Sequence, residues 1–218
     1  MPFAGILIAL ASIILSPTAA YAQATSRTCT GEAGETPGPA CLVAHQDLGA
    51  LPRGPLFWKI YTFADAQAAE RARPHHGVVV EAFGEVWLFD LGAKGGELEG
   101  GRYVADVGPL PIDAPKGDFS AEYLKSTFAP GMTAPVHTHS GPEAFYAIRG
   151  GTCLETPDGV QVARSAGHSL MVRQGPPMLL MAIGQETRQG FALILHGEGS
   201  PPTTLTSTWT PKGLCPNE

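Results

Sequence analysis

Apolar positions along this chain recur in short runs and alternations, with few helical stripes. VVVEAF and VWLFDL flank Gly84 and predict a hairpin, RYVADV follows, and residues 121–128 and 134–139 supply two more extended segments. Beyond them lie FYAIRG, TCLETPDGVQVAR with its Pro-Asp-Gly turn, SLMV, MLLMAI and FALILH, each bounded by glycine or proline. Short strands at regular spacing with turn residues between them predict an all-β sandwich or barrel over residues 77–198. One segment departs from this pattern. Across residues 63–73 the run DAQAAERAR joins good helix formers to an acidic start and a basic end, and Pro74 closes it. Residues 23–54 are rich in Gly, Pro, Ala and Thr with little periodicity, so residues 23–76 are expected to form an irregular arm ending in that helix. Residues 199–218, with Pro201, Pro202, Pro211 and Pro216, predict a tail extended along the surface.

The opening residues form a separate unit. An apolar run from Ala4 to Leu15 precedes Ser16 and Pro17 and then Ala20-Tyr21-Ala22, a small-x-small cleavage signal before Gln23. Residues 1–22 therefore read as a secretory signal peptide, although no Lys or Arg precedes the run. The run is short for a membrane span, and no cysteine at its end offers a lipid anchor. The expected mature chain, Gln23 to Glu218, is periplasmic or secreted, with no membrane contact after cleavage.

Export changes the meaning of the cysteines. All four (Cys29, Cys41, Cys153, Cys215) lie beyond the signal, with no C-x-x-C pair, and an even count in an oxidising compartment predicts disulfides. Three connectivities remain open. Cys29 with Cys41 would close a small loop rich in Gly, Glu and Pro, and Cys153 with Cys215 would staple the tail to a predicted strand. Composition supports a globular core, with 44% hydrophobic and 16% charged residues, while 27 Gly and 20 Pro favour turns over long helices. A formal charge of −6 without a basic stripe excludes nucleic acid as an expected partner and disfavours acidic phospholipid surfaces.

Candidate chemistry concentrates in GMTAPVHTHSGPEAFYAIRG, residues 131–150. His137 and His139 are two apart, so on a strand both leave the same face. Ser140, Gly141 and Pro142 form a turn that returns Glu143 beside the imidazoles. Two imidazoles and a carboxylate converging in this way make a facial set of metal ligands with open positions. The other histidines carry weaker signals. His45, His168 and the pair His75 and His76 read as satisfied or surface residues, with the adjacent pair on opposite faces of a strand. His196, ending FALILH, is a candidate extra ligand or proton carrier near a barrel rim, and Tyr146 reads as core.

The spacing Gly131, five residues, His137, one residue, His139, three residues, Glu143, six residues, Gly150 resembles the first motif of the cupin superfamily. The resemblance is to a single-domain, exported cupin of type 2, and covers mainly residues 126–198. It implies a double-stranded β-helix, or jelly-roll barrel, with one short N-terminal helix outside it. It also implies that His137, His139 and Glu143 hold a divalent transition metal (iron, manganese or nickel) at the barrel mouth. A second motif follows in degenerate form. Gly167 and Gly175 are kept, but Arg173 stands where the family has proline, Met178 where it has a third ligand histidine, and Ala182 where it has asparagine. Met178 is thus a ligand by analogy only. Its soft thioether suits copper as an alternative metal, and an apolar packing role is the other reading. In such a barrel Phe145 and Leu180 would line a dry pocket for a small organic substrate, with Arg173 and Gln174 holding a carboxylate at its mouth. The resemblance also implies a homodimer. Cupin folds host oxygenases, isomerases, lyases and simple binders, so two functions stand: an enzyme with dioxygenase-type chemistry ahead of lyase or isomerase chemistry, and a non-catalytic binder of a small ligand or copper.

Overall fold

The computed structural model describes Met1 and residues 27–30, 36–113 and 117–216. The predicted signal peptide beyond Met1 lies outside the described residues. In chain order the first elements are β1 (Cys41–Ala50), β2 (Phe57–Phe63), α1 (Ala66–Ala72), β3 (Val78–Ala82), β4 (Glu85–Gly92), β5 (Arg102–Val107) and β6 (Asp118–Phe128). There follow β7 (His137–His139), β8 (Glu143–Arg149), β9 (Gly151–Thr156), β10 (Gly159–Ala163), β11 (Ser169–Val172), β12 (Leu179–Ile183), β13 (Arg188–Gly197) and β14 (Thr203–Leu205). The all-β expectation holds, with one short helix.

Three layers result. The central one is a five-stranded sheet in the order β1-β6-β13-β8-β11. Its long strands are apolar on both faces, and strict alternation decides which core each residue joins. Ala121, Tyr123, Phe191, Leu193 and Leu195 enter a core with Trp58, Ile60, Trp87 and Phe89 from the four-stranded sheet β3-β4-β2-β5. Leu124, Phe128, Ala192 and Ile194 point the other way and meet Leu154, Met178, Leu180 and Ala182. Those partners belong to, or adjoin, the sheet β10-β9-β12. Backbone bonds of Gly131 and Ala134 to Ala182 and Leu180, and bridges Thr133↔Met181 and His137↔Met178, continue this sheet to β7, which pairs with β14. Two opposed antiparallel sheets with a second core between them form the expected double-stranded β-helix.

Local chemistry explains most element boundaries. Asp65 caps α1 by accepting from the Ala68 N–H at 2.7 Å, and Pro74 follows its end. The helix is shorter than the sequence predicts because Phe63 pairs with Val86 as the last residue of β2. Phe83 and Gly84, both at positive φ (54° and 76°), make the two-residue turn between β3 and β4. His75 and His76 lie in a turn before β3 with their rings in edge contact, not on a strand.

The N-terminal end of the chain departs from expectation. Residues 41–50, expected in an irregular arm, are the edge strand β1 paired along β6, and β2 lies between β4 and β5, so residue 77 marks no structural boundary. The tail is pinned to the barrel along its course. Besides β14, the buried Glu155 carboxylate accepts the N–H groups of Lys212 and Leu214, and Cys153 is bonded to Cys215. Cys29 bonds Cys41, which leaves no free cysteine. Among the described residues no helix is long and apolar enough to cross a membrane.

Candidate metal centre

His137 and His139 are the ends of β7, and their rings lie edge to face with centroids 4.6 Å apart. The turn that brings Glu143 back passes very close to β13. A Cβ on Gly141 would sit 1.8 Å from the Leu195 carbonyl oxygen, so only glycine fits there. Gly150, at φ 72°, closes the motif where a Cβ would lie 2.6 Å from the Arg188 Cα. All three side chains are buried, at 9% exposure for His137 and 4% for His139 and Glu143. Each offers a ligand atom within 4.8 Å of the others.

Backbone carbonyls set the tautomers. His137 Nδ1 faces the Pro135 carbonyl at 2.6 Å and His139 Nδ1 faces that of Pro202 at 2.9 Å. A carbonyl only accepts, so in its neutral form each ring carries its proton on Nδ1 and keeps a lone pair on Nε2. Orientation of this kind is what metal-ligating imidazoles require. His139 Nε2 lies 2.8 Å from Glu143 Oε2 as a buried ion-pair contact, and neither atom has an aligned hydrogen-bond partner. Buried polar atoms left in this state are costly, and a cation between them removes the cost. The residues therefore fit a metal ion.

The electrostatics point the same way. Burial lowers the His137 pKa below the ordinary imidazole value, and the charge of His139 lowers it further. At His139 burial also opposes charge, but the Glu143 carboxylate outweighs it and raises the pKa. The site thus favours one positive charge beside Glu143. The charge of that carboxylate also reaches a buried cation: Arg188, fully buried, has its pKa lowered by burial to about 10 while Glu143 works to raise it. Its guanidinium donates to Thr152 Oγ1 at 2.7 Å and Ser126 Oγ at 2.9 Å.

The triad opens on a cavity of about 500 Å³ between the two sheets. Phe145, Leu180 and Met178 line it. Met178 is fully buried and pairs with His137 across the bridge, which puts both side chains on one face of the sheet. Tyr146 faces the opposite core. Arg173 and Gln174 line no part of the cavity. Both are exposed, and Asp158 holds Arg173 outward at 3.0 Å. Several lining residues were not read from the sequence: Arg27 from the N-terminal segment, Ser126 from β6, and Thr203 and Leu205 from the tail. Arg188 had a legible signal, since it shares the alternation of Ala192 and Ile194. Pro202 had none, because its role depends on where the tail folds back.

No protein-family model matches the chain, and no curated protein matches it. Its structural neighbours are cupin superfamily proteins. They include recombinant oxalate oxidase in complex with glycolate, 19% identical over 39% of this chain and 45% of that one, TM-score 0.34. A cupin superfamily protein from Desulfitobacterium hafniense is 13% identical over 35% of this chain and 67% of that one, TM-score 0.32. A conserved protein with a double-stranded β-helix domain from Klebsiella pneumoniae is 19% identical over 40% and 71%, TM-score 0.35. The match spans less than half of the oxalate oxidase chain. Likeness at this level assigns no chemistry, which has to be argued from the site.

Proposed function

We propose that the protein is an exported, metal-dependent cupin enzyme acting on a small, partly apolar organic substrate, with dioxygenase-type chemistry ahead of lyase or isomerase chemistry. The observation that carries this reading is the pair His139 Nε2 and Glu143 Oε2, 2.8 Å apart, buried, and with no aligned hydrogen-bond partner. Iron, manganese or nickel bound by His137, His139 and Glu143 would polarise a substrate oxygen or activate water or dioxygen. The chain's own residues do the rest. Phe145, Leu180, Ala192 and Ile194 exclude water from one side of the substrate. Ser126, whose oxygen accepts from Arg188, keeps its own proton to donate to a substrate oxygen. Arg27 is the charged residue of the cavity lining outside the triad, and it suits a carboxylate entering from the mouth. Two disulfides support an oxidising compartment as the place of action.

The test joins metal analysis of aerobically purified protein to oxygen uptake on a panel of small carboxylates. Iron, manganese or nickel near one per chain, with uptake on at least one substrate that disappears in Glu143→Ala, is expected. Copper alone with no turnover would favour the second reading, a periplasmic copper or small-ligand binder. One observation favours that alternative: Met178, a soft thioether, pairs with His137 and lines the same cavity.

A further inference from the structure

The rim of the barrel carries a second cluster, on strands β1, β6 and β13. Register places it in two successive rungs of one face. In one, His45 lies opposite Glu122, which lies opposite Ile194; in the next, Asp47 lies opposite Ser120, which lies opposite His196. Residues two apart share a face, so His45, Asp47, Glu122 and His196 all project from the face that sends Leu124 and Ile194 into the cavity. His45, Glu122 and His196 each bring a ligand atom within 4.8 Å of the others. None of these residues belongs to the motif around the triad.

His196 is the independent pointer to a ligand. Its side chain is 95% buried, given 5% exposure, and its Nε2 has no hydrogen-bond partner. Its Nδ1 faces the Gly197 carbonyl at 3.2 Å, which puts the proton on Nδ1 and leaves the Nε2 lone pair available. His45 is exposed enough to swing and stands 3.1 Å from Asp47, whose carboxylate also accepts from Ser120 at 3.0 Å. A tetrahedral ion with ligands at about 2.1 Å needs ligand atoms roughly 3.4 Å apart, within reach of a cluster already closed to 4.8 Å.

We infer that His45, Glu122 and His196 form a second divalent-metal site of the zinc class at the barrel rim, with Asp47 beside them as the carboxylate able to complete it. Two imidazoles with carboxylate oxygens are the donor set borderline cations such as zinc prefer. The two centres are neighbours. The Leu195 N–H, beside His196, donates to the Pro142 carbonyl in the turn between His139 and Glu143, and the charge of Glu122 acts on His139.

Equilibrium dialysis of the metal-stripped protein against zinc, in the wild type and four variants, tests this. His137→Ala is expected to keep one high-affinity equivalent, and the double variant His137→Ala/His45→Ala to lose it. His45 is exposed, so its replacement leaves the fold intact; His137→Ala/His196→Gln, checked by circular dichroism, gives a second route to the same loss. Equal zinc in His137→Ala and both double variants overturns the proposal. If His137→Ala binds as much as wild type while His45→Ala loses one equivalent, the rim site stands and the triad reading fails.

Discussion

Replacing both Cys153 and Cys215 by alanine removes a bridge that closes a loop of 62 residues in sequence. In the chain-entropy treatment, freeing a loop of that length in the unfolded state costs the fold about 4 kcal/mol. With a urea m-value of about 2 kcal/mol/M, the midpoint should fall by roughly 2 M, with a somewhat steeper slope because the unfolded chain opens out. The folded variant should still dock its tail, because β14 pairs with β7 and Glu155 holds the N–H groups of Lys212 and Leu214. Its metal affinity should therefore change less than tenfold. Deleting residues 200–218 is different: it removes the Pro202 carbonyl that orients His139 and the Pro201 carbonyl that accepts from Ser140. Loss of such an outer partner weakens metal binding by roughly 10–100-fold. Urea unfolding followed by fluorescence and metal titration by calorimetry measure the two effects separately. A stability loss under about 1 kcal/mol would refute the loop argument, and unchanged affinity in the truncated chain would refute the role given to the tail.

Metal binding should weaken with acid from a higher pH than ordinary histidines impose. The His139 pKa is raised, so at pH values below it a proton must leave as the metal binds, and affinity falls up to tenfold per pH unit; calorimetry in buffers of different ionisation enthalpy should find proton release on binding that grows as the pH falls, and none under acid conditions would contradict this. Met178→Leu, of similar volume, should lower copper affinity if the sulfur is a ligand and leave metal content unchanged if Met178 only packs, while Met178→His should strengthen ferrous iron or manganese binding in either case. Protein recovered from the periplasm or medium should begin at or near Gln23, and an intact Met1 on a cytoplasmic chain would contradict the export reading.

Legibility followed the reach of each signal. The triad was visible because its geometry is local: a two-residue spacing, one turn, and a return strand, all within residues 137–143. The barrel strands were visible because turn residues bracket each apolar run. β1 was not, since its sequence CLVAHQDLGA sends His45 and Asp47 toward the cavity side, and two bulges break its alternation. β2 was hidden by FWKIYTF, nearly continuous in apolar and aromatic residues because both its faces are covered. The tail's prolines suggested a surface course, but two of them act through carbonyls, and only the fold could place those beside His139 and Ser140. His196 and His45 lie 151 residues apart, the difference of their numbers, and no short-range pattern joins them.

Anomalous diffraction from crystals grown with cobalt(II), collected at the cobalt edge, tests the central claim most directly. The account predicts a peak at about 2.0–2.2 Å from His137 Nε2, His139 Nε2 and Glu143 Oε2, and its disappearance in His137→Ala crystals. A map with no peak among these three side chains at saturating cobalt would contradict it.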